Sequence, residues 1–276
     1  MVLWCQANNF TPISSSIDFG SSSFFRPTRI SNPNWITTKM HRRPRRSFLL
    51  ATPTENGATQ LNYEPGPLDN IFLFLFRKKM AKEVGWDSNK PGYDGLIEVA
   101  NCLMTKYRNK LDTEQATVRI LRSLFPPFLL LLFRKLITPL AEGKLAAIMT
   151  ARVTAATCQW LMGRSTVNCI DLPDGSSCNS GVLVEKCQYL EASKCAGICI
   201  HTCKLPTQTF IKEYMGIPLL MEPNFNDFSC QFKFGVEALP TCDDKSLHVP
   251  CLEICPNDVK RKGYQNRLDV QQCPKV

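Results

Sequence analysis

The chain has 276 residues, 33 Lys plus Arg against 24 Asp plus Glu, a formal charge of +9, and 44% apolar residues. That length and composition support a packed core and exclude collagen, a coiled coil and wholesale disorder. The longest uncharged apolar runs, Ile71–Phe76 and Leu124–Phe133, hold 6 and 10 residues, short of the roughly 20 that a membrane-spanning helix needs.

The charge gathers at one end. Residues 1–52 carry seven basic residues (Arg26, Arg29, Lys39, Arg42, Arg43, Arg45, Arg46) and one acid, Asp18, a net of +6 that leaves only +3 for the remaining 224 residues. A near-neutral body speaks against nucleic acid as a partner, which calls for a strongly basic face. The same segment holds eight Ser, in runs such as Ser14–Ser16 and Ser21–Ser23, and lacks the apolar stretch of a secretory signal. A leader rich in Arg and Ser and poor in acids is expected to be a plastid transit peptide, 1–52, cleaved near Leu49 to Thr54. A disordered basic tail is the plainer alternative. Residues 53–67, with Glu64-Pro65-Gly66-Pro67, read as a linker.

From there the apolar spacing is helical. Leu68 to Val84 forms a first predicted helix, stopped by Gly85, and Asp94 to Tyr107 a second, with Leu96, Val99, Ala100, Leu103 and Met104 on one face. Asp112 opens a third, which Pro126-Pro127 breaks. Phe128 to Thr138 and Pro139 to Met162 follow, the latter with Pro in its first turn, where the missing amide costs little. The predicted fold is therefore mainly α: a helical region over 68–168, then a Cys-rich module over 169–276 with short irregular or β segments. Within that module, Cys169 to Gly175 reads as a loop or hairpin leading into Gly181 to Leu190, and Thr207 to Met215 as one more helix ended by Gly216.

Eleven of the 14 Cys lie between Cys169 and Cys273. The densest stretch is Cys195-Ala-Gly-Ile-Cys199-Ile-His-Thr-Cys203, preceded by Cys187 and followed by Cys230, Cys251 and Cys255. Residues four apart share a helix face, so the three thiols would form a row. Carried straight back to Cys187, the row would drift by about 40° per four-residue step, and Cys187 and Cys203 would point apart. Cys158 falls outside the row. Four readings stand for this cluster: a disulfide framework, a structural zinc site, an iron or iron–sulfur centre, and buried reduced thiols packing as small hydrophobes. His201 could ligate or transfer a proton, but its offset of two positions from the row favours a half-exposed polar residue of the opposite face, and His248, in a loop-like stretch, reads the same way. Glu185, Glu191, Glu213 and Glu222 are single acids without a partner in spacing, and no dinucleotide, phosphate-loop or nucleophile-elbow motif occurs.

Several long blocks carry a resemblance. GVLVEKCQYLEASKCAGICIHTCKLPTQTF (Gly181–Phe210) and MEPNFNDFSCQFKFG (Met221–Gly235) resemble the plant β-carotene isomerases of the DWARF twenty-seven family, as do VGWDS (Val84–Ser88), GYDGLIEVAN (Gly92–Asn101), SLFPP (Ser123–Pro127) and CQWLMG (Cys158–Gly163). The likeness covers about residues 64–255. It implies a plastid, iron-containing isomerase, stromal or membrane-peripheral, that interconverts all-trans- and 9-cis-β-carotene, the alternatives being a related carotenoid isomerase acting on another double bond and a non-catalytic plastid metal-binding protein. The 9-cis product would enter strigolactone biosynthesis, where carotenoid cleavage dioxygenases act next. Phe72–Phe76 and Phe128–Phe133 would then line a slot for the carotenoid or make peripheral contact with plastid membranes, ordinary core packing being the plainer reading.

A double bond rotates only when its order falls. With many thiols and no acid dyad, the expected route is transient one-electron chemistry at an iron centre, mononuclear or iron–sulfur. The expected metal ligands are Cys195, Cys199 and Cys203, with Cys230 as a fourth and Cys187 as a substitute; Cys251 and Cys255 suit a second, structural site.

Overall fold

The computed structural model describes residues 66–107 and 109–256. The leader, nearly all of the linker and residues 257–276 of the Cys-rich module lie outside the described residues. Helix α1 (Pro67–Val84) starts with Pro in its first turn and ends on Gly85 in the left-handed region, φ 76°, where only glycine sits without strain. Helices α2 (Gly92–Lys106) and α3 (Lys110–Ser123) follow. The third begins two residues before the expected Asp112, because the Asn109 side chain caps it by accepting from the Leu111 amide at 3.1 Å.

Pro126 ends that run, and α4 (Pro127–Leu132) passes directly into a π-helical turn, Phe133–Ile137. The single helix expected over Pro139 to Met162 is broken. Ala141 and Glu142 adopt φ of 49° and 55° next to Gly143 at 85°, so α5 spans only Lys144–Thr157, and the short α6 Gln159–Met162 follows it. Gly163, at φ 83°, then turns the chain out of the helix.

Strand β1 (Ser165–Asp171) starts inside the stretch assigned to the helical region, so that region ends before Ser165 rather than at 168. It pairs with β2 (Ser177–Val184) as the hairpin anticipated near Gly175. Next come α7 (Gln188–Ser193), α8 (Ala196–Cys199) and α9 (Leu205–Phe210), the last flanked by π turns at Ile200–Lys204 and Ile211–Met215. The predicted helix over Thr207 to Met215 is thus the end of a longer rod that begins at Ala196. Strands β3 (Leu219–Pro223) and β4 (Cys230–Phe234) complete an antiparallel sheet of order β1-β2-β4-β3.

In β4 the sequence Cys-Gln-Phe-Lys-Phe alternates, and Cys230, Phe232 and Phe234 are buried together on one face. Gln231, on the other face, exchanges hydrogen bonds of 2.9 and 3.0 Å with Asn168 of β1. Gly181 lies between these strands because a β-carbon there would meet Asn168 Oδ1 at 2.3 Å and Ile170 Cγ2 at 2.5 Å. Helix α5 packs across β2. Leu96, Leu103, Ala151, Val182, Ile198 and Phe234 belong to one apolar cluster, so the helical region and the Cys-rich module share a single core.

Candidate functional site

A cavity of about 510 Å³ lies between the buried face of β3 and β4 and helices α3, α4, α5 and α9. That size falls within the roughly 300–1,000 Å³ typical of small-ligand sites. Leu124, Leu130, Phe133, Phe210, Met221 and Phe232 give it an apolar wall, and no Asp, Glu or His side chain lines it.

Thiols, a few hydroxyls and one ammonium make up its polar groups. Cys187, Cys199, Cys203 and Cys230 all line the cavity, and so does Cys158. Four of the five expected ligand residues are therefore brought to one space, and the fifth, Cys195, is not among its lining. Cys195 is extended (φ −138°, ψ 111°) and precedes α8 as its N-cap, so it does not continue the 199/203 row. Between Cys199 and Cys203 the rod winds as a π turn, which also departs from the four-residue spacing of an α-helix. Cys187 joins the group because the chain is not one straight helix. It caps α7, and Lys194, in the left-handed region at φ 49°, turns the chain before α8. The divergence of Cys187 from Cys203 that a straight helix demands is thereby removed. Cys158, which spacing set apart, enters from the end of α5. Cys251 and Cys255 lie away from the cavity lining.

Burial holds these thiols protonated. Desolvation raises Cys158, Cys187, Cys199 and Cys230 above the ordinary thiol range, and neighbouring sulfurs add to it for Cys199 and Cys230. Cys203 is pushed up to about 12 by burial first and then by Cys187 and Cys158. Tyr189, also on the lining, is raised by burial as well. Thr202 Oγ1 donates to the Ile198 carbonyl at 2.7 Å. Its single proton is thereby used, so Tyr189 is the donor in the 2.9 Å bond between their hydroxyls.

One charged side chain reaches the lining, Lys204. Its ammonium is met by Asp244 Oδ2 at 2.5 Å and by Ser246 Oγ at 2.7 Å, all within the protein interior. Sequence spacing missed Cys158, Tyr189 and Lys204, which packing and the distant Asp244 contact bring to the cavity. His201 lies off the cavity lining, as its offset indicated, but it is buried rather than half-exposed, because α3 covers it and brings Glu114 Oε1 to 3.2 Å from its Nδ1. Among the described residues no three His, Cys, Asp or Glu side chains are gathered to hold one metal ion.

An apolar cavity with neutral thiols, a neutralised lysine and no phosphate cradle defines a protein built for an apolar ligand. The family model for the C-terminal part of D27-like β-carotene isomerases matches residues 160–243, the stretch that supplies the sheet, the rod and most of the thiols. The chain is 32% identical over 225 residues (79% of this chain, 87% of the relative) to the chloroplastic β-carotene isomerase D27 of Medicago truncatula. To the protein of the same name from Arabidopsis thaliana it is 30% identical over 254 residues, 90% of each chain. The chain belongs to the D27 family of β-carotene isomerases. Both relatives are chloroplastic, in agreement with the plastid location that the leader predicts. No solved structure matches it.

Proposed function

We propose that this protein interconverts the all-trans and 9-cis forms of β-carotene inside the thiol-lined cavity, as an early step towards substrates of carotenoid cleavage dioxygenases. The observation that carries the reading is the convergence of Cys187, Cys199, Cys203 and Cys230 on one apolar cavity in a member of this family. The wall takes up a hydrocarbon by desolvation alone, at about 25 cal/mol per Å² of apolar surface covered. The lining supplies no carboxylic acid to protonate a polyene, and Tyr189 has its proton committed to Thr202. Lys204 is neutralised by Asp244, so the cavity presents no unpaired charge to the hydrocarbon.

The donor set suits iron by its chemistry, since sulfur is a soft ligand. We assign Cys187, Cys199, Cys203 and Cys230 as the residues that would hold it, although the thiols are not gathered into a ready ligand set. Bound there, iron would supply one-electron exchange that lowers the order of the rotating double bond. The chain's own part is to seat the polyene beside the sulfurs, keep water out and give up thiol protons on metal uptake.

The test is pigment analysis of bacteria that make all-trans-β-carotene and express this chain. A rise in the 9-cis fraction over the empty-vector strain is expected. An unchanged isomer ratio with soluble protein present would overturn the proposal.

A further inference from the structure

The cavity's mouth is defined by side chains that line it and also face outward. Phe125 and Leu129 on one side, Met149 and Val153 on the other, meet both conditions, Val153 with 58% of its surface open. From this rim an apolar face spreads over three helices. On α4 and its π turn, Phe128, Leu132 and Leu136 recur every four residues and are all exposed, Phe128 to 69%. On α5, Leu145 continues the stripe of Met149 and Val153, and on α1 Ile71, Phe72 and Leu75 are exposed, with Phe72 stacked on Trp160 of the cavity lining. Exposed apolar side chains are ordinary when scattered; a contiguous set around a cavity mouth marks an interaction site.

The charges beside this face are mostly basic: Asp69 and Glu83 at the ends of α1 are engaged with the Gly66 amide and Arg119, and Glu142 is the one exposed acid between the π turn and α5. Residues 70–82 of α1, 127–137 and 144–157 contain no acid and eight basic residues: Arg77, Lys78, Lys79, Lys82, Arg134, Lys135, Lys144 and Arg152. Arg77 and Lys144 are engaged with Asp87 and Asp174, and Arg134 donates to the Glu213 carbonyl, whereas Lys78, Lys135 and Arg152 are exposed next to the apolar stripes. No single described helix is long and apolar enough to cross a bilayer; only α3 taken together with Pro127–Ile137 has the length and composition, and that pair is bent by 94°.

We infer that α1, α4 with its π turn and α5 form a docking face for an anionic lipid bilayer, which seats the cavity mouth in the acyl region. Apolar side chains flanked by an excess of bases fit that surface better than an acidic or neutral protein groove. The inference deepens the proposed function, because a carotenoid dissolved in lipid would then enter the cavity without crossing water. Lipid binding itself is independent of catalysis.

The experiment uses the full chain and sedimentation with phosphatidylglycerol vesicles. The basic leader binds such vesicles too, so each measurement is repeated in about 1 M salt, where exposed charges are screened beyond about 3 Å. Wild type is expected to stay bound at high salt. The double variant Phe128→Glu, Leu132→Glu, which alters neither the cavity lining nor the core, is expected to lose that salt-resistant binding by roughly a hundredfold or more. Equal high-salt binding of both proteins would refute the docking face, and so would release of wild type from the vesicles. A wild-type dimer that the double variant dissolves, with no vesicle binding, would assign the face to a second copy and equally refute it. Turnover in detergent micelles separates the two readings: inactivity of wild type there, with lipid binding intact, overturns the proposed function and leaves the docking face standing.

Discussion

Lys204 Nζ and Asp244 Oδ2 stand 2.5 Å apart in the protein interior, and Ser246 joins them by accepting from the lysine and donating to the other carboxylate oxygen at 2.7 Å each. This closed triad ties the rod that carries Cys199 and Cys203 to the irregular segment after β4.

Removing one partner of such a pair strands the other charge, which typically costs about 3–5 kcal/mol. Asp244→Ala is therefore expected to lower the urea midpoint strongly, whereas the paired change Lys204→Met, Asp244→Leu should recover most of the loss. Burial works to raise the Asp244 carboxyl, but the hydrogen bonds from Lys204 and Ser246 outweigh it and hold it below its ordinary value of 3.8. The stabilisation is then full above that value and fades as pH falls through the lower folded one. Acid titration of wild type and the paired variant should show a steeper loss below about pH 4 in wild type.

The thiols act with the opposite sign. Cys203 is lifted from 9.0 to about 12, so the unfolded chain gives up its proton first as pH rises. Stability should be full below about pH 9 and decline from there towards pH 12. Urea midpoints measured from about pH 8 to 11 check this, with Cys203→Ala as the comparison; an equal slope in that variant would refute the assignment.

Metal content and turnover should divide the cysteines by position rather than by spacing. Cys199→Ser and Cys203→Ser are expected to lose iron from protein purified without oxygen and to lower turnover about ten- to a hundredfold or more. Cys195→Ser, whose sulfur lies off the lining, should keep both, with at most about 1 kcal/mol lost in stability. Elemental analysis beside isomer ratios reads the outcome. Iron retained in Cys199→Ser and Cys203→Ser would make the thiols a packing feature.

Filling the cavity should act on catalysis alone. Thr154 of α5 lines the cavity, and Thr154→Phe places a ring where the polyene would lie. A drop in kcat/KM of roughly tenfold or more, with Tm unchanged, is expected. Equal kinetics would show that substrate uses another surface.

The helices were readable because their stripes are local: Leu96, Val99 and Leu103 declare the buried face of α2 without reference to anything distant. The strand Cys230–Phe234 went unread, because its place in a four-stranded sheet depends on partners from residues 165–184 and 219–223. The thiol cluster was legible as composition and misleading as geometry. A four-residue period assumes an unbroken α-helix, and Lys194, the extended Cys195 and the π turn each violate that assumption. Cys158 and Lys204 could not be placed by spacing at all, because what brings them to the cavity is the packing of α5 and the Asp244 contact, both set by distant parts of the chain.

The sheet's outer strands have a consequence for handling this protein at high concentration. An open strand edge offers unpaired amides on which another molecule can add a strand. Edge strand β3 is only five residues long and ends in Pro223, and its outward Met221 amide is already taken by Gln208 Oε1 at 2.8 Å. The opposite edge, β1, is interrupted by the register shift between Asn168 and Ile170. Neither border is a usable template for intermolecular strand addition. Precipitation of the purified chain should therefore respond to detergent, which covers apolar helices, and not to agents that disfavour fibrillar β-structure.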